Sequence, residues 1–328
     1  MDIRVTRARK IYGDGQHNAF TGLETAFGQT IVAFRSGSRH VSPDGAIRLI
    51  ASRDREVWKS IACIRHPEAD LRDPKMVMLN RRLLVFFAHL PPTGPRRMMR
   101  TESTDGQTFR PPEPLQGLDE GHWLWHVREY GGVLYGSAYR RRTGVPVVSL
   151  LESRDGLTWS PLMDFPVPGN ETWLDFDRDG RLWALVRDDL FGCIPVLCTA
   201  SAPYDRLDSV LRLPIRLQGP MLKRLDGGCL VIGRQWDDPG GRNMRTDLFW
   251  LGDDQPLRRI GTLPSGGDTS YADWRDLTGS RAVVSYYSSH EHWMDSAVET
   301  GEEEENPASS AAHPSDIFLA DISHGTGK

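Results

Sequence analysis

What the sequence lacks narrows its class first. No segment approaches the run of roughly 18 apolar residues that a membrane-spanning helix requires. The opening residues, MDIRVTRARKIYGDG, contain no apolar core of the kind found in a secretion signal. The expectation from both is a cytoplasmic protein with no membrane partner. Cysteine is scarce. Cys63, Cys193, Cys198 and Cys229 form no CxxC pair, so neither a zinc framework nor a disulfide scaffold is indicated. These thiols are expected to behave as small buried apolar side chains, with a Cys193–Cys198 bridge left open. Excess positive charge is missing too. Lys and Arg number 40 against 44 Asp and Glu, for a net charge of −4. The arginines are scattered among acids, so duplex nucleic acid is not an expected partner. Long stretches with a 3.6-residue apolar period are also lacking.

What is present is an ordinary globular composition, 39% hydrophobic and 9% aromatic over 328 residues, long enough to bury a large core. A repeat runs through it. Residues 153–159 read SRDGLTW, 103–109 read STDGQTF, and 52–58 read SRDREVW, a degraded copy, so that Ser52, Ser103 and Ser153 fall about 50 residues apart. Each copy has the chemistry of a hairpin turn. In the two intact copies Asp-Gly supplies positive φ. Asp and Ser/Thr oxygens accept the free N–H groups of the turn, and the terminal aromatic anchors it.

Between the copies lie short apolar runs, QTIVAF, RLLVFFA, GVLYGSAY, RLWALV and GCLVIG, separated by Gly, Asp and Pro turns. Four strands per 45–50 residues is the sequence form of a propeller blade. The pattern predicts an all-β, six-bladed β-propeller as one domain over residues 1–328. Its blades are expected at His17–Cys63, Leu71–Pro112, His122–Met163, Glu171–Leu213, Pro220–Leu263 and Ser270–Ile322. The segment IRVTRARKIY is expected to pair with the last blade and close the ring. A five-bladed count is the rival, because the last three blades carry no clean repeat. Residues 299–315, ETGEEEENPASSAAHPS, are acidic and poor in apolar side chains, and read as a mobile loop.

The S-x-D-G-x-T-W repeat resembles the Asp-box of sialidases and their relatives, where it is a scaffold element at the blade periphery. The resemblance extends along most of the chain. It implies that HNAFTGLETAFGQTIVAFRSGSRHVSPDG places Asn18 where sialidases carry the first arginine of a substrate-clamping triad. It places Arg39 and Asp44 at the following loop arginine and the acid/base aspartate. In blade four, ETWLDFDRDGRLWALVR supplies Glu171 and the second triad arginine, Arg187. In the last blade SYADW supplies Tyr271 as nucleophile. For the third triad arginine the best match is Arg245, with Arg234 and Arg242 as rivals. Asn18 is a departure from the family pattern and turns the expectation from sialic acid itself toward another sugar, acidic or neutral.

The chemistry so implied is glycoside hydrolysis with a tyrosine nucleophile, an exception to the usual two-carboxylate scheme. A neutral phenol avoids repulsion from a carboxylate-bearing sugar. Glu171 takes its proton, Asp44 is the general acid and base, and Arg187 and Arg245 hold an anionic group. The expected partner is a carbohydrate, with no cofactor. A non-catalytic glycan-binding propeller and a polysaccharide lyase on the same scaffold are the alternatives. A further one comes from DLRDP at 70–74, which resembles the invertase and arabinanase type of propeller glycosidase. There Asp73 would stabilise the transition state and Glu171 would be the acid. His17, His40, His126 and His290 are placed near the same end of the blades, where they would line a pocket or bind a metal. No HxH or HExxH spacing supports a metal, and His126 is taken as a substrate contact. Of Trp123 and Trp125 in GHWLWH, one is expected to face the axis and the other to pack between blades.

Overall fold

The computed structural model describes residues 2–119, 121–142, 144–237, 243–292 and 313–325. Its strands form six four-stranded antiparallel sheets, each a simple up-and-down meander. The innermost strands are His17–Ala26, Asp70–Leu79, Trp123–Tyr130, Thr172–Phe176, Gln218–Leu225 and Thr269–Asp276. Each packs against the innermost strands of the preceding and following blades, and the first packs against the last. The fold is a six-bladed β-propeller, not a five-bladed one. Its blades start and stop within a few residues of the positions expected from the repeat.

Burial explains why the strands read as they do. The second strand of each blade, such as Arg82–Leu90 (RLLVFFAHL), is sandwiched between neighbouring blades and is apolar on both faces. That gives a continuous apolar run rather than alternation. The fourth strands are more exposed, as in Ser209–Arg212, all four of whose residues are exposed. In the last blade the fourth strand comes from the other end of the chain. Asp2–Tyr12 pairs antiparallel with Asp316–Gly325 and closes the ring, covering the edge that Asp316–Gly325 would otherwise expose.

The three repeat copies form the same turn. Ser52, Ser103 and Ser153 each accept the N–H of the residue three positions on, at 2.8–2.9 Å. Asp54, Asp105 and Asp155 each accept two further backbone N–H groups at 2.7–2.9 Å. Those donors pull the Asp54 and Asp105 carboxyls down to about 2. In the degraded copy Arg55 adopts the left-handed φ of 63° that Gly106 and Gly156 take elsewhere, so the turn survives without its glycine. Trp159 is fully buried against Phe86, while Trp58 and Phe109 are half-buried.

Other expectations need correction. All four cysteines are free, which removes the Cys193–Cys198 bridge. Cys198 and Cys229 are buried, but Cys63 is exposed. The acidic segment 299–315 lies outside the described residues up to position 312, as does Arg242.

Candidate functional site

The innermost strands all begin at the same end of the ring, and five of the six are interrupted just after they begin. Register shifts fall between Ala19 and Gly22, Arg72 and Lys75, Leu124 and His126, Gln218 and Met221, and Ser270 and Asp273. Within four of these bulges the chain turns left-handed, at Phe20 (φ 61°), Asp73 (50°), Gly219 (54°) and Tyr271 (51°). A non-glycine residue held there costs on the order of 1–3 kcal/mol, and such strain is concentrated at functional sites. Bulges re-aim side chains, and these put Phe20, Asp73 and Tyr271 into one axial cluster. Pro74 and Pro220 follow two of these left-handed residues, where no ladder N–H is required.

Tyr271 is partly exposed and donates its phenolic proton to Glu171 Oε1 at 2.5 Å. Glu171 Oε2 accepts from Arg187 Nη1 at 2.9 Å and from the Gly219 N–H at 3.1 Å. Gly219 is required here, because a Cβ would lie 3.1 Å from both Ser270 Oγ and the Tyr271 ring. Arg187 Nε is held by Asp189 Oδ1 at 2.7 Å. Burial, then the Glu171 charge, pushes the Tyr271 phenol well above its usual 10, against the opposing pull of Arg187. The resting phenol is therefore neutral, with its proton aimed at a base.

Asp73 is buried, and its Oδ1 has no hydrogen-bond partner. Burial raises its pKa. Arg72 and Lys75 oppose the rise, and Glu171 adds to it. Arg72 lies over the Phe20 ring, 4.8 Å from its centroid, and Phe20 in turn packs edge-on to Tyr271 at 4.9 Å.

A second tyrosine–carboxylate–arginine group stands beside the first. Tyr287 Oη donates to Asp268 Oδ1 at 2.7 Å. Arg234 Nη2 donates to both Asp268 Oδ1 and Tyr287 Oη, at 2.9 and 2.8 Å. Asp268 Oδ2 accepts from His17 Nε2 and His40 Nδ1 at 2.8 and 2.6 Å. Burial disfavours the Asp268 anion, but the two histidine bonds and the Arg234 charge outweigh it and hold the carboxyl well below its usual value. His17, His40 and Asp268 have the spacing of metal ligands, yet both oxygens of Asp268 are already engaged without an ion. Arg234 occupies the other carboxylate oxygen. His17 Nδ1 is buried with no acceptor for the proton that metal ligation through Nε2 would leave there. The residues fit a hydrogen-bonded hub better than a metal cage.

Among the residues singled out from the sequence, the structure brings Glu171, Tyr271, Arg187 and Asp73 together and sets His17, His40 and Arg234 beside them. Several others are engaged elsewhere. The Asn18 amide donates to Asp14 Oδ1, Gln16 O and Ser315 O, and Phe20 takes the axial position instead. Asp44 is exposed and folds back on its own loop, accepting the Ser38 N–H and hydroxyl. Arg39 is exposed on that loop. Arg245 is held by Asp237 and Asp247, each at 2.9 Å. It is its rival Arg234 that reaches the cluster. His126 is buried, stacks on Trp173 at 3.8 Å and accepts the Leu174 N–H at 3.2 Å, which brackets blade three to blade four. Burial holds its pKa well below 6.5, so the ring is neutral. His290 bonds to Ser288 in its own blade. Trp125 faces the axis, near Tyr271 and Lys75, and Trp123 stacks on Tyr139. Sequence reasoning passed over Phe20, Arg72, Tyr139, Asp268 and Tyr287.

No protein-family model matches the chain, and no curated protein does. Solved structures do match. A protein of unknown function from Dyadobacter fermentans aligns over 98% of this chain and 99% of its own, with a TM-score of 0.78 at 17% identity. An alpha-L-arabinanase from Penicillium chrysogenum, solved with arabinobiose, aligns over 96% and 98%, with a TM-score of 0.68 at 12% identity. A Trypanosoma rangeli sialidase variant displaying trans-sialidase activity gives 0.66 at 10% identity, over 93% of this chain and 54% of its own. What these proteins share with the chain is the fold. The chain spans about half the length of that sialidase.

Proposed function

We propose that the chain is a glycoside hydrolase of the tyrosine–glutamate type, acting on a terminal sugar that carries an acidic group. The observation behind this reading is the Tyr271–Glu171 hydrogen bond of 2.5 Å beside the buried, unpartnered carboxyl of Asp73. In the first step Tyr271 Oη bonds to the anomeric carbon as the bond to the leaving oxygen breaks. Glu171 takes the phenolic proton, and Asp73 gives its proton to the leaving oxygen. In the second step Asp73, now ionised, takes a proton from water. The water oxygen bonds to the anomeric carbon, the bond to Tyr271 breaks, and Glu171 returns its proton. Asp73 takes the acid/base role expected of Asp44, because its raised pKa keeps the proton available. Arg72, Arg187 and Arg234 approach from blades two, four and five. Planar guanidinium groups suit a carboxylate, and a neutral nucleophile avoids repelling one.

A second reading, with a neutral sugar and Glu171 itself as nucleophile, is favoured by one fact. Arg187 and Arg234 are already neutralised by Glu171, Asp189 and Asp268. A panel of 4-nitrophenyl glycosides (sialoside, glucuronide and arabinofuranoside), followed by trapping with the matching fluorinated inactivator and peptide mass mapping, separates the two. A label on Tyr271, with turnover lost about 100-fold or more in Tyr271→Phe, is the expected result. A label on Glu171 establishes the second reading. Turnover of none of the three glycosides counts against both.

A further inference from the structure

Two arginine pairs, Arg96–Arg97 and Arg140–Arg141, lie far apart in the sequence and meet on the entry side of blades two and three. The Arg96 guanidinium lies 5.2 Å from the Trp123 ring centroid and 5.9 Å from that of Tyr139. The two aromatic rings are stacked at 6.2 Å, with 12° between their planes. Tyr139 is partly exposed and pairs with Trp123, two residues before Trp125, whose ring centroid lies 6.2 Å from that of Tyr271. This wall therefore adjoins the axial cluster. Arg96 spends two N–H groups on the carbonyl of Gly121 and has no acid partner among the described residues. Arg97 and Arg141 are exposed and likewise have no acid partner among the described residues. Arg141, two residues beyond Tyr139, shares its strand face. A groove of about 400 Å³, bordered by Arg96, Arg97, Asp119, Gly121 and His122, leads away from the wall. Its one acid among the described lining residues, Asp119, is paired with Arg140.

We propose that this surface is the leaving-group side of the site and holds an anionic glycan, one whose sugars beyond the scissile bond carry carboxylates or sulfates. The inference rests on the hydrolase reading above for its direction. Asp73, on blade two, protonates the leaving oxygen, so the departing chain must lie toward blades two and three. Arg187 and Arg234, on blades four and five, face the sugar that stays. The Trp123–Tyr139 wall offers apolar ring surface next to the point of cleavage, and the guanidinium groups of Arg96, Arg97 and Arg141 offer charge farther out. Continuity with the axial cluster favours a glycan over other polyanions.

The test is equilibrium binding to full-length Tyr271→Phe protein, which does not require turnover. The probes are polygalacturonate, chondroitin sulfate, linear arabinan and single-stranded DNA. Polygalacturonate, chondroitin sulfate or both should bind, about tenfold or more weaker at 300 mM than at 50 mM salt. The R96Q/R97Q/R141Q triple variant, with an unchanged circular dichroism spectrum, should weaken binding at least tenfold. Which of the two binds identifies carboxylate or sulfate as the recognised group. Arabinan bound as tightly as the acidic glycans, DNA bound as tightly, or a triple variant that binds unchanged would each overturn the proposal. Arginine-dependent glycan binding by a wild-type protein that turns over no glycoside would sink the hydrolase reading while leaving the anionic surface standing.

Discussion

At the scale of single residues, Asp73 sets the pH behaviour of the site. A buried carboxyl without a hydrogen-bond partner is costly when ionised, and its pKa is raised in the folded state. The unfolded chain releases this proton near pH 4, so between that value and the raised folded pKa the folded state holds the extra proton. The favourable contribution is complete below pH 4 and is lost as pH rises through the folded pKa. Asp73→Asn should therefore melt higher than the wild type at neutral pH, with the difference shrinking as pH falls toward 4. Thermal scans of both proteins across pH 4–8 measure it. The same variant should lose about 100- to 10,000-fold in turnover, the usual range for a general acid. A wild type that melts at or above the variant at pH 7 contradicts the assigned burial.

Residue roles were only partly legible in the sequence. Arg187 was found because it ends an apolar strand, ALVR, and in the next blade the same pattern, VIGR, ends in Arg234. Both arginines occupy the entry end of a second strand, with Arg187 paired opposite Glu171 and Arg234 opposite Gln218. Arg245 instead opens the following strand, RTDLFWL, where Asp237 and Asp247 hold it. Asn18 misled for a different reason. A bulge shifts the side chains that follow it, so counting back from the apolar strand reaches Asn18, whereas the left-handed residue aimed at the axis is Phe20. Bulges depend on packing between blades, and no local pattern announces them. Asp268 and Tyr287 stay hidden because their partners lie 19–251 and 19–53 positions away.

At the scale of elements, the repeat turn was the most legible feature, because every interaction in it is local. Its aspartates are exposed, and their role is to cap the turn. The folded Asp105 carboxyl sits at about 2, held down by the Thr108 and Gln107 N–H groups, against about 4 in the unfolded chain. For a depressed pKa the contribution to stability is present above pH 4 and disappears as pH falls through 2. Asp105→Ala should lower Tm at pH 6, and the gap should narrow progressively between pH 4 and 2. Turnover should be unchanged, because the turn lies at the blade periphery. A gap that stays constant with pH would assign the loss to packing rather than to the carboxylate.

At the scale of the whole molecule, the site straddles the place where the ring closes. Blade six supplies Tyr271, Tyr287 and Asp268, and blade one supplies Phe20, His17 and His40. Thr21 Oγ1 donates to Tyr271 O at 2.7 Å, and the Leu23 N–H donates to Asp273 Oδ2 at 2.8 Å. Asp2–Tyr12 holds these blades together from outside, as the fourth strand of blade six. Arg7 and Arg9 tie that strand to blade one through Glu56 and the Arg55 carbonyl. A chain beginning at residue 13 would expose the edge of Asp316–Gly325 and slacken the junction on which Tyr271 stands. We expect Tm to fall by at least about 5 °C, which corresponds to roughly 2 kcal/mol at the 2–4 °C per kcal/mol typical of larger domains. Turnover should fall with it. A circular permutant that joins residue 325 to residue 2 through a flexible linker, and opens in the exposed 91–95 loop, retains the strand and should retain both properties. If the truncated chain keeps its Tm and the permutant does not, closure by this strand is not what holds the two halves of the site in register.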